Sequence, residues 1–428
     1  MYRNGFDRLL ESFPKRINFD QNLKVSFEET QNLIIDAVSP LPGEDISILD
    51  AVGRVLYEDI VSDILIPPVD DSAMDGYAVM AADTRGASEQ NPVTLRVAGE
   101  CRAGDSVAGK QVFHGTTVRI MTGAPIPAGA DAVVRFEDAV ELSGYVTLFG
   151  ETASYTNYRR AGENIQKDDI VLPRGDRLKP ADIGILASLN RHCVNVYRQP
   201  MVSIISTGDE LAEPGESLRP GQIRNANACA LCAEVKKYNG LPKYLGIAKD
   251  SISDMTEMFI RALQADVVIS TGGISMGGYD FVKDIYDDLG IEIQYERVRV
   301  KPGSSFTFGK KGDTLIFGLP GNPVPALTSF IEFIRPALLR LMGAKRIWKP
   351  VVHARLKEDI RSARVHHLVQ GYFTIENNEF FVSTTGNQKP SMLRSMSVAN
   401  CLIMIPEHVE KVKAGENVMI QLIDHDEI

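Results

Sequence analysis

Cysteine is scarce in this 428-residue chain: five, at 101, 193, 229, 232 and 401, an odd number without framework spacing. That pattern excludes a disulfide-stapled secreted scaffold and leads us to expect a reducing, cytoplasmic setting. Excess positive charge is also missing, since 46 Lys and Arg stand against 56 Asp and Glu for a formal net charge of -10. Capture of nucleic acid or of an anionic membrane surface needs a broad basic field, so neither is expected as a partner. If the ligand is an anion, its positive partners must be local. Uninterrupted apolar runs of membrane length are lacking as well, because "VPALTSFIEFIRPALLRLMG" carries Glu332, Arg335 and Arg340. The opening "MYRNGFDRLLESF" mixes charge among its apolar residues and lacks the core of a signal peptide. What remains is an ordinary folding composition, 44% hydrophobic and 24% charged, on a chain long enough for two to four domains.

The chain changes character four times. "SFEETQNLIIDAVSPL" pairs Ser26 with Glu29 in a capping-box pattern and repeats its apolar residues at helical spacing. From 61 to 155, short Val-rich and Thr-rich runs cut by Gly and Pro predict a β-rich insertion. A second helix, starting near Pro180, is expected to pack back on the first and close an elongated helical domain made of 22–60 and 156–199. Residues 200–345 alternate apolar strands with capped helices in βαβ order, which predicts a parallel-rich sheet with helices on both faces. The final stretch, 346–428, has short alternating runs such as "EFFVST" and "NVMIQLI" and reads as a small all-β domain. The fold class is therefore α/β multidomain: a three-layer α/β domain, an elongated helical domain, an inserted β-rich domain and a C-terminal β domain.

In such sheets ligands sit beyond the C-terminal ends of the strands. "STGGISMGGYD" places Thr271, Gly272, Gly273, Ser275, Gly277 and Gly278 there, where glycines let backbone approach a ligand and a helix start favours an anion. It matches neither the Walker loop nor the dinucleotide fingerprint. "STGDEL" puts Ser206, Thr207, Gly208, Asp209 and Glu210 at the same edge, and "LPGNPV" adds Pro320, Gly321 and Asn322 as a third loop with Pro323 opening a helix. In "YERVRVKPG", a strand over 295–301 would point Arg297, Arg299 and Lys301 to one face. Asp280 and Glu210 beside an anion cradle make sense if Mg²⁺ bridges them to substrate phosphates. A further constellation, Asp70, Asp71, Ser72 and Asp75 in "PPVDDSAMDGYAV", holds more acid than a turn requires and departs from the EF-hand spacing. Two features take a plain structural reading: Cys229-x-x-Cys232 as one buried helix face, and His366 with His367 as neighbours unable to share a metal.

Taken in order along residues 25 to 425, "PPVDDSAMDGYAV", "RIMTGAPIPAGADAVVRFED", "STGDEL", "GQIRNAN", "STGGISMGGYD", "VKPG" and "LPGNPV" resemble the molybdopterin molybdenumtransferase family, to which the C-terminal domain of gephyrin is related. The resemblance implies a homodimer of four-domain chains, with the helical domain at the dimer contact, a molybdopterin-binding α/β domain and a C-terminal β-barrel. It also implies an enzyme of molybdenum cofactor biosynthesis. Such an enzyme takes adenylylated molybdopterin and molybdate, cleaves the pyrophosphate with Mg²⁺ and releases AMP. Molybdopterin adenylyltransferase and recipient molybdoenzymes would be its functional partners. By similarity Asp70, Thr122, Glu210, Asp280 and Lys301 occupy functional positions, with Glu210 and Asp280 at the metal, Lys301 on the anionic ligand, and Asp70 and Thr122 reaching the site from the inserted domain.

Departures from the family pattern are Asn225 in "QIRNAN" and Asn164 in "GEN", each neutral where an acid is common, Arg297 where Lys is frequent, and Ser304 in "KPGSSF" where "KPGK" is usual. Arg keeps charge while changing a point donor into a planar fork. These changes admit two rival readings, a non-catalytic pterin-binding scaffold or carrier and a tungstate-preferring paralogue. The related adenylyltransferase shares the α/β domain but leaves the "DDSAMDGYAV" half and the C-terminal β segment unexplained.

Overall fold

The computed structural model describes residues 25–106, 109–272, 279–295 and 297–423, except for the side chains of 279–283. Its centre is a six-stranded sheet. In spatial order the strands are Leu241–Ala248, Met201–Thr207, Val267–Thr271, Thr314–Leu319, Thr307–Lys311 and Glu292–Tyr295. The first four are parallel, Thr307–Lys311 pairs antiparallel with the fourth, and Glu292–Tyr295 pairs antiparallel with Thr307–Lys311. Side chains alternate across this sheet and make two cores. Ile204, Val267, Ile269, Leu315 and Phe317 face the helix Ala226–Lys237 and the long helical run from Pro323 to Leu341. Ile205, Val268 and Ile316 face Ile252–Ala262 and Tyr279–Asp288 through Met255, Phe259, Ile285 and Tyr286. Being apolar on both faces is what a parallel sheet wrapped by helices requires.

The inserted domain hangs on an out-and-back ladder of short antiparallel pairs. Gly43–Ser47 pairs with Cys193–Tyr197, Ile60–Val61 with Ile170–Leu172, and Asp71–Ser72 with Tyr158–Arg159. Beyond the last rung lies a second six-stranded sheet, built from strands between Gly76 and Leu148. In the C-terminal segment, His366–Glu376, Glu379–Thr384, Val351–Leu356, Asn417–Leu422 and Cys401–Ile405 pair in that order. Cys401–Ile405 then pairs back on His366–Glu376, closing the five-stranded β-barrel that the family resemblance implies.

One packing expectation is corrected. Pro180–Ser188 does not rest on the first helix; it covers the Ile48–Asp50 turn, where Leu186 joins Ile48, Leu56 and Leu178. The first helix, Phe27–Asp36, keeps its Ser26–Glu29 capping box but buries Phe27 and Ile34 in the core of the α/β domain. The reason is local: Val25 is bridged to Val298, which fixes the helix start over that domain.

Candidate active site

A cavity of 570 Å³ opens at the C-terminal edge of the parallel strands. Ser206 pairs in register with Thr271, so Thr207 and Thr271 end neighbouring strands side by side, and both line the cavity. The Thr207 hydroxyl is buried and has no hydrogen-bond partner among the described residues. An unmet buried hydroxyl costs roughly 1–3 kcal/mol, so the site gains from a ligand that accepts its proton. Gly272 follows with φ +89°, and a Cβ there would run into the Thr207 carbonyl oxygen. Only glycine lets these two loops approach so closely.

The helix Ala226–Lys237 begins at the same wall. Asn225 caps it, accepting from the Ala228 N–H, and Asn225, Ala226 and Asn227 all face the cavity. Free first-turn N–H groups and the helix dipole make this end favourable to an anion. Asn227 also clasps the Thr271 loop to the Pro320-Gly321-Asn322 loop. Among the described lining residues Glu210 is the only carboxylate.

A second chamber of 440 Å³ shares Ser305, Pro320 and Asn322 with the first. Arg299, Lys301 and Ser304 line one side; His367, Gln370 and Gln388 of the barrel line the other. Burial, and after it the Lys301 charge, push the pKa of His367 down to about 4, so its imidazole is neutral at neutral pH. The arrangement is cationic and donor-rich at one end, with a carboxylate at the other. That is the chemistry of an oxyanion beside a metal-bridged phosphate.

Three family models cover most of the chain: MoeA N-terminal region (domain I and II) over 25–190, a probable molybdopterin binding domain over 203–340, and MoeA C-terminal region (domain IV) over 353–423. The molybdopterin molybdenumtransferase of Haemophilus influenzae is 35% identical over 393 residues, which is 90% of this chain and 95% of that one. The chain belongs to the molybdopterin molybdenumtransferase family. Its counterpart in Staphylococcus aureus is 33% identical over 94% of this chain and 96% of its own. In structure, the molybdopterin biosynthesis MoeA protein of Pyrococcus horikoshii superposes with a TM-score of 0.82 at 32% identity, covering 94% of this chain and all 100% of that one.

Of the residues singled out from sequence, this molybdenumtransferase-family fold gathers Thr207, Glu210, Asn225, Thr271, Gly272, Pro320, Gly321 and Asn322 in the first cavity. Lys301 stands in the second chamber, as does Ser304. Gly273, Ser275, Gly277 and the Asp280 side chain lie outside the described residues; the Asp280 backbone belongs to Tyr279–Asp288. Ser206 is at neither wall: it is fully buried and donates to Asn225. Gly208, at φ +138°, lies beneath the Glu210 carboxylate instead of facing the cavity.

The strand expected over 295–301 is not continuous. Val298 bridges to Val25, while Val300–Lys301 pairs in parallel with His366–His367 of the barrel, so the backbone's hydrogen bonds go to two other parts of the molecule. Arg297 consequently lines neither chamber, although Arg299 and Lys301 still share one side.

Asp70 and Thr122 also line neither chamber. Asp70 accepts from the Tyr158 hydroxyl at 2.5 Å and the Ala161 N–H at 2.8 Å, and the Tyr158 bond leads in holding its carboxyl below the ordinary range. Asp71 takes both Arg159 donors, and Asp75 accepts from the N–H and hydroxyl of Thr122. The acidic turn thus splits into separate local bonds, and among the described residues no group of three or more His, Cys, Asp or Glu is placed to hold a metal. Cys229 is exposed and Cys232 partly buried, which corrects the reading of one buried face. Sequence reasoning passed over Asn227, although it sits in the quoted "GQIRNAN". Ser305, Ser391, Gln370 and Gln388 gave no local signal and His367 only its adjacency to His366, because the docking of the barrel brings most of them to the chambers.

Proposed function

We propose that this chain is a molybdopterin molybdenumtransferase that takes adenylylated molybdopterin and molybdate, cleaves the pyrophosphate bond and releases AMP. The observation that carries the reading is the adjacency of two chambers that share Ser305, Pro320 and Asn322: a phosphate-friendly helix start with an unsatisfied Thr207 hydroxyl in one, and Lys301 and Arg299 facing neutral side chains in the other. The Ala226–Lys237 start and Thr207 would bind the phosphates, and Lys301 with Arg299 would hold the oxyanion against them. His367, kept neutral, orients a hydrogen bond without adding charge.

The donor set fits Mg²⁺. Glu210 offers one carboxylate in a cavity whose other described lining residues are neutral apart from Arg224, and Mg²⁺ is usually held by one or two carboxylates with the substrate's phosphates completing its shell. Glu210 and Asp280 would hold the ion, which when bound would polarise a phosphoryl oxygen.

Asp70 and Thr122 act from the inserted domain, in a homodimer whose site straddles the contact. In support, Leu49, Val52, Val61, Ile64 and Ile170 leave apolar side chains exposed along the ladder. A cytoplasmic setting, supply of substrate by molybdopterin adenylyltransferase and delivery to recipient molybdoenzymes complete the proposal. No helix among the described residues is long and apolar enough to cross a membrane.

Purified protein incubated with adenylylated molybdopterin, Mg²⁺ and molybdate should release AMP only when both Mg²⁺ and the oxyanion are present. Tight pterin binding without AMP would favour a carrier, and release driven better by tungstate would favour the paralogue reading.

A further inference from the structure

Tyr244 stands on the edge strand of the α/β sheet with its hydroxyl 2.5 Å from Glu213 Oε1 and 2.7 Å from Asn225 Nδ2. A phenol has one proton. The Asn225 amide nitrogen can only donate, so the Tyr244 proton goes to Glu213 and a Tyr244 lone pair accepts from Asn225. Asn225 Oδ1 in turn accepts from Ser206 Oγ at 3.0 Å and from the Ala228 N–H at 3.4 Å. Flipping the amide would set its NH₂ against the Ala228 N–H, two donors face to face, so the orientation is fixed by the network. The result is a one-way relay from Ser206 through Asn225 and Tyr244 to Glu213. Ser206 and Asn225 are enclosed, at 0% and 2% exposure.

The far end of this relay lies on the loop that carries Glu210. The Ile223 N–H donates to the Glu210 carbonyl at 2.8 Å, the Asn225 N–H to the Ala212 carbonyl at 3.0 Å, and Arg224 Nη1 to the Glu213 carbonyl at 2.8 Å. Glu213 is therefore a side-chain anchor that ties the Glu210 loop back to the sheet, beside the longer bond by which the Asp250 N–H donates to Asp209. We propose that Tyr244 and Glu213, acting through Asn225, are positioning residues that hold Glu210 at the cavity, and that Asn225 is an asparagine because Tyr244 needs a donor there. The proposal rests on the reading of Glu210 as the carboxylate that meets the substrate's cation. Burial first, then the Glu213 bond, raise the Tyr244 pKa, in keeping with a phenol that stays protonated.

The alternative, that Asn225 is a weakened metal ligand, makes the opposite prediction for Asn225→Asp. A ligand should tighten Mg²⁺ when its charge is added. A donor should loosen it, because Tyr244 has one proton for two carboxylates.

The test compares wild type, Tyr244→Phe, Glu213→Gln and Asn225→Asp by two measurements on the full chain. Hydrogen exchange of the Ile223 and Asn225 amides is read without ligand, and the Mg²⁺ concentration for half-maximal AMP release is read with substrate. Loss of one part-buried bond to a charged partner predicts about tenfold faster exchange and about tenfold more Mg²⁺ needed, with the maximal rate less affected. Wild-type exchange in Tyr244→Phe, an unchanged Mg²⁺ requirement, or a lower requirement in Asn225→Asp would each overturn the proposal. A wild type that releases no AMP would instead overturn the reading of Glu210, and the positioning role with it. Faster exchange in Tyr244→Phe would still show the relay as a bonded unit, so the two failures are told apart.

Discussion

Asn227 Nδ2 lies 3.0 Å from Thr271 Oγ1 and 2.8 Å from the Gly321 carbonyl oxygen, so a single first-turn amide joins two rims of the cavity. Asn227→Ala should raise the KM for the adenylylated pterin about tenfold, the scale of losing these bonds at a partly enclosed site, with little change in melting temperature. Steady-state kinetics beside a thermal melt checks this.

Gly272 offers a stricter test of the floor. Gly272→Ala places a methyl group against the Thr207 carbonyl in a left-handed backbone conformation, at φ +89°. Strain of this kind costs about 1–3 kcal/mol, and the chain relieves it by moving the two loops apart. A loss of pterin affinity of at least tenfold is expected by calorimetry, and unaltered affinity would mean that the loops do not grip the ligand.

Lys301 separates the chambers functionally. Lys301→Ala should raise the molybdate concentration for half-maximal AMP release by about 10–100-fold, the scale of a lost charged hydrogen bond, while leaving pterin affinity within about twofold. An equal loss of both would place Lys301 on the phosphates.

Glu332 carries a prediction on stability. It is enclosed beneath the barrel; Gln421 and Gln31 donate to Oε2 at 3.4 and 3.5 Å, and Oε1 has no partner among the described residues. Burial, the leading cause, raises its pKa from 4.5 to about 7, and burial likewise lowers that of Lys349 from 10.5 to about 8. Glu332's contribution is therefore full below pH 4.5 and lost as pH rises through about 7. Lys349's is full above pH 10.5 and lost as pH falls through about 8. Glu332→Gln should raise the melting temperature at pH 8 by roughly 2–4 °C and change it little at pH 5. An equal shift at both values would contradict the account.

The central sheet was legible because its strands are short apolar runs closed by Gly and capped helices, a pattern set by local chemistry. The loops Thr207–Glu210, Thr271–Gly272 and Pro320–Asn322 were legible for the same reason, since each follows such a strand. The path of 295–301 was not, because its alternating charges fit one strand while its backbone partners, Val25 and His366–His367, lie far away in sequence. Nor was the role of Ser206, whose hydroxyl turns inward to Asn225 only because the helix cap is there. The barrel side of the second chamber depends on how two domains dock, which no local pattern encodes.

The central claim is that a divalent cation lets Glu210 and a pyrophosphate occupy one cavity. Calorimetric titration of Mg²⁺ into the protein, with and without adenylylated molybdopterin, tests it most directly. Mg²⁺ uptake that appears only with the pterin and is lost in Glu210→Gln is the predicted result; no uptake with the pterin bound, or uptake indifferent to Glu210→Gln, would contradict it.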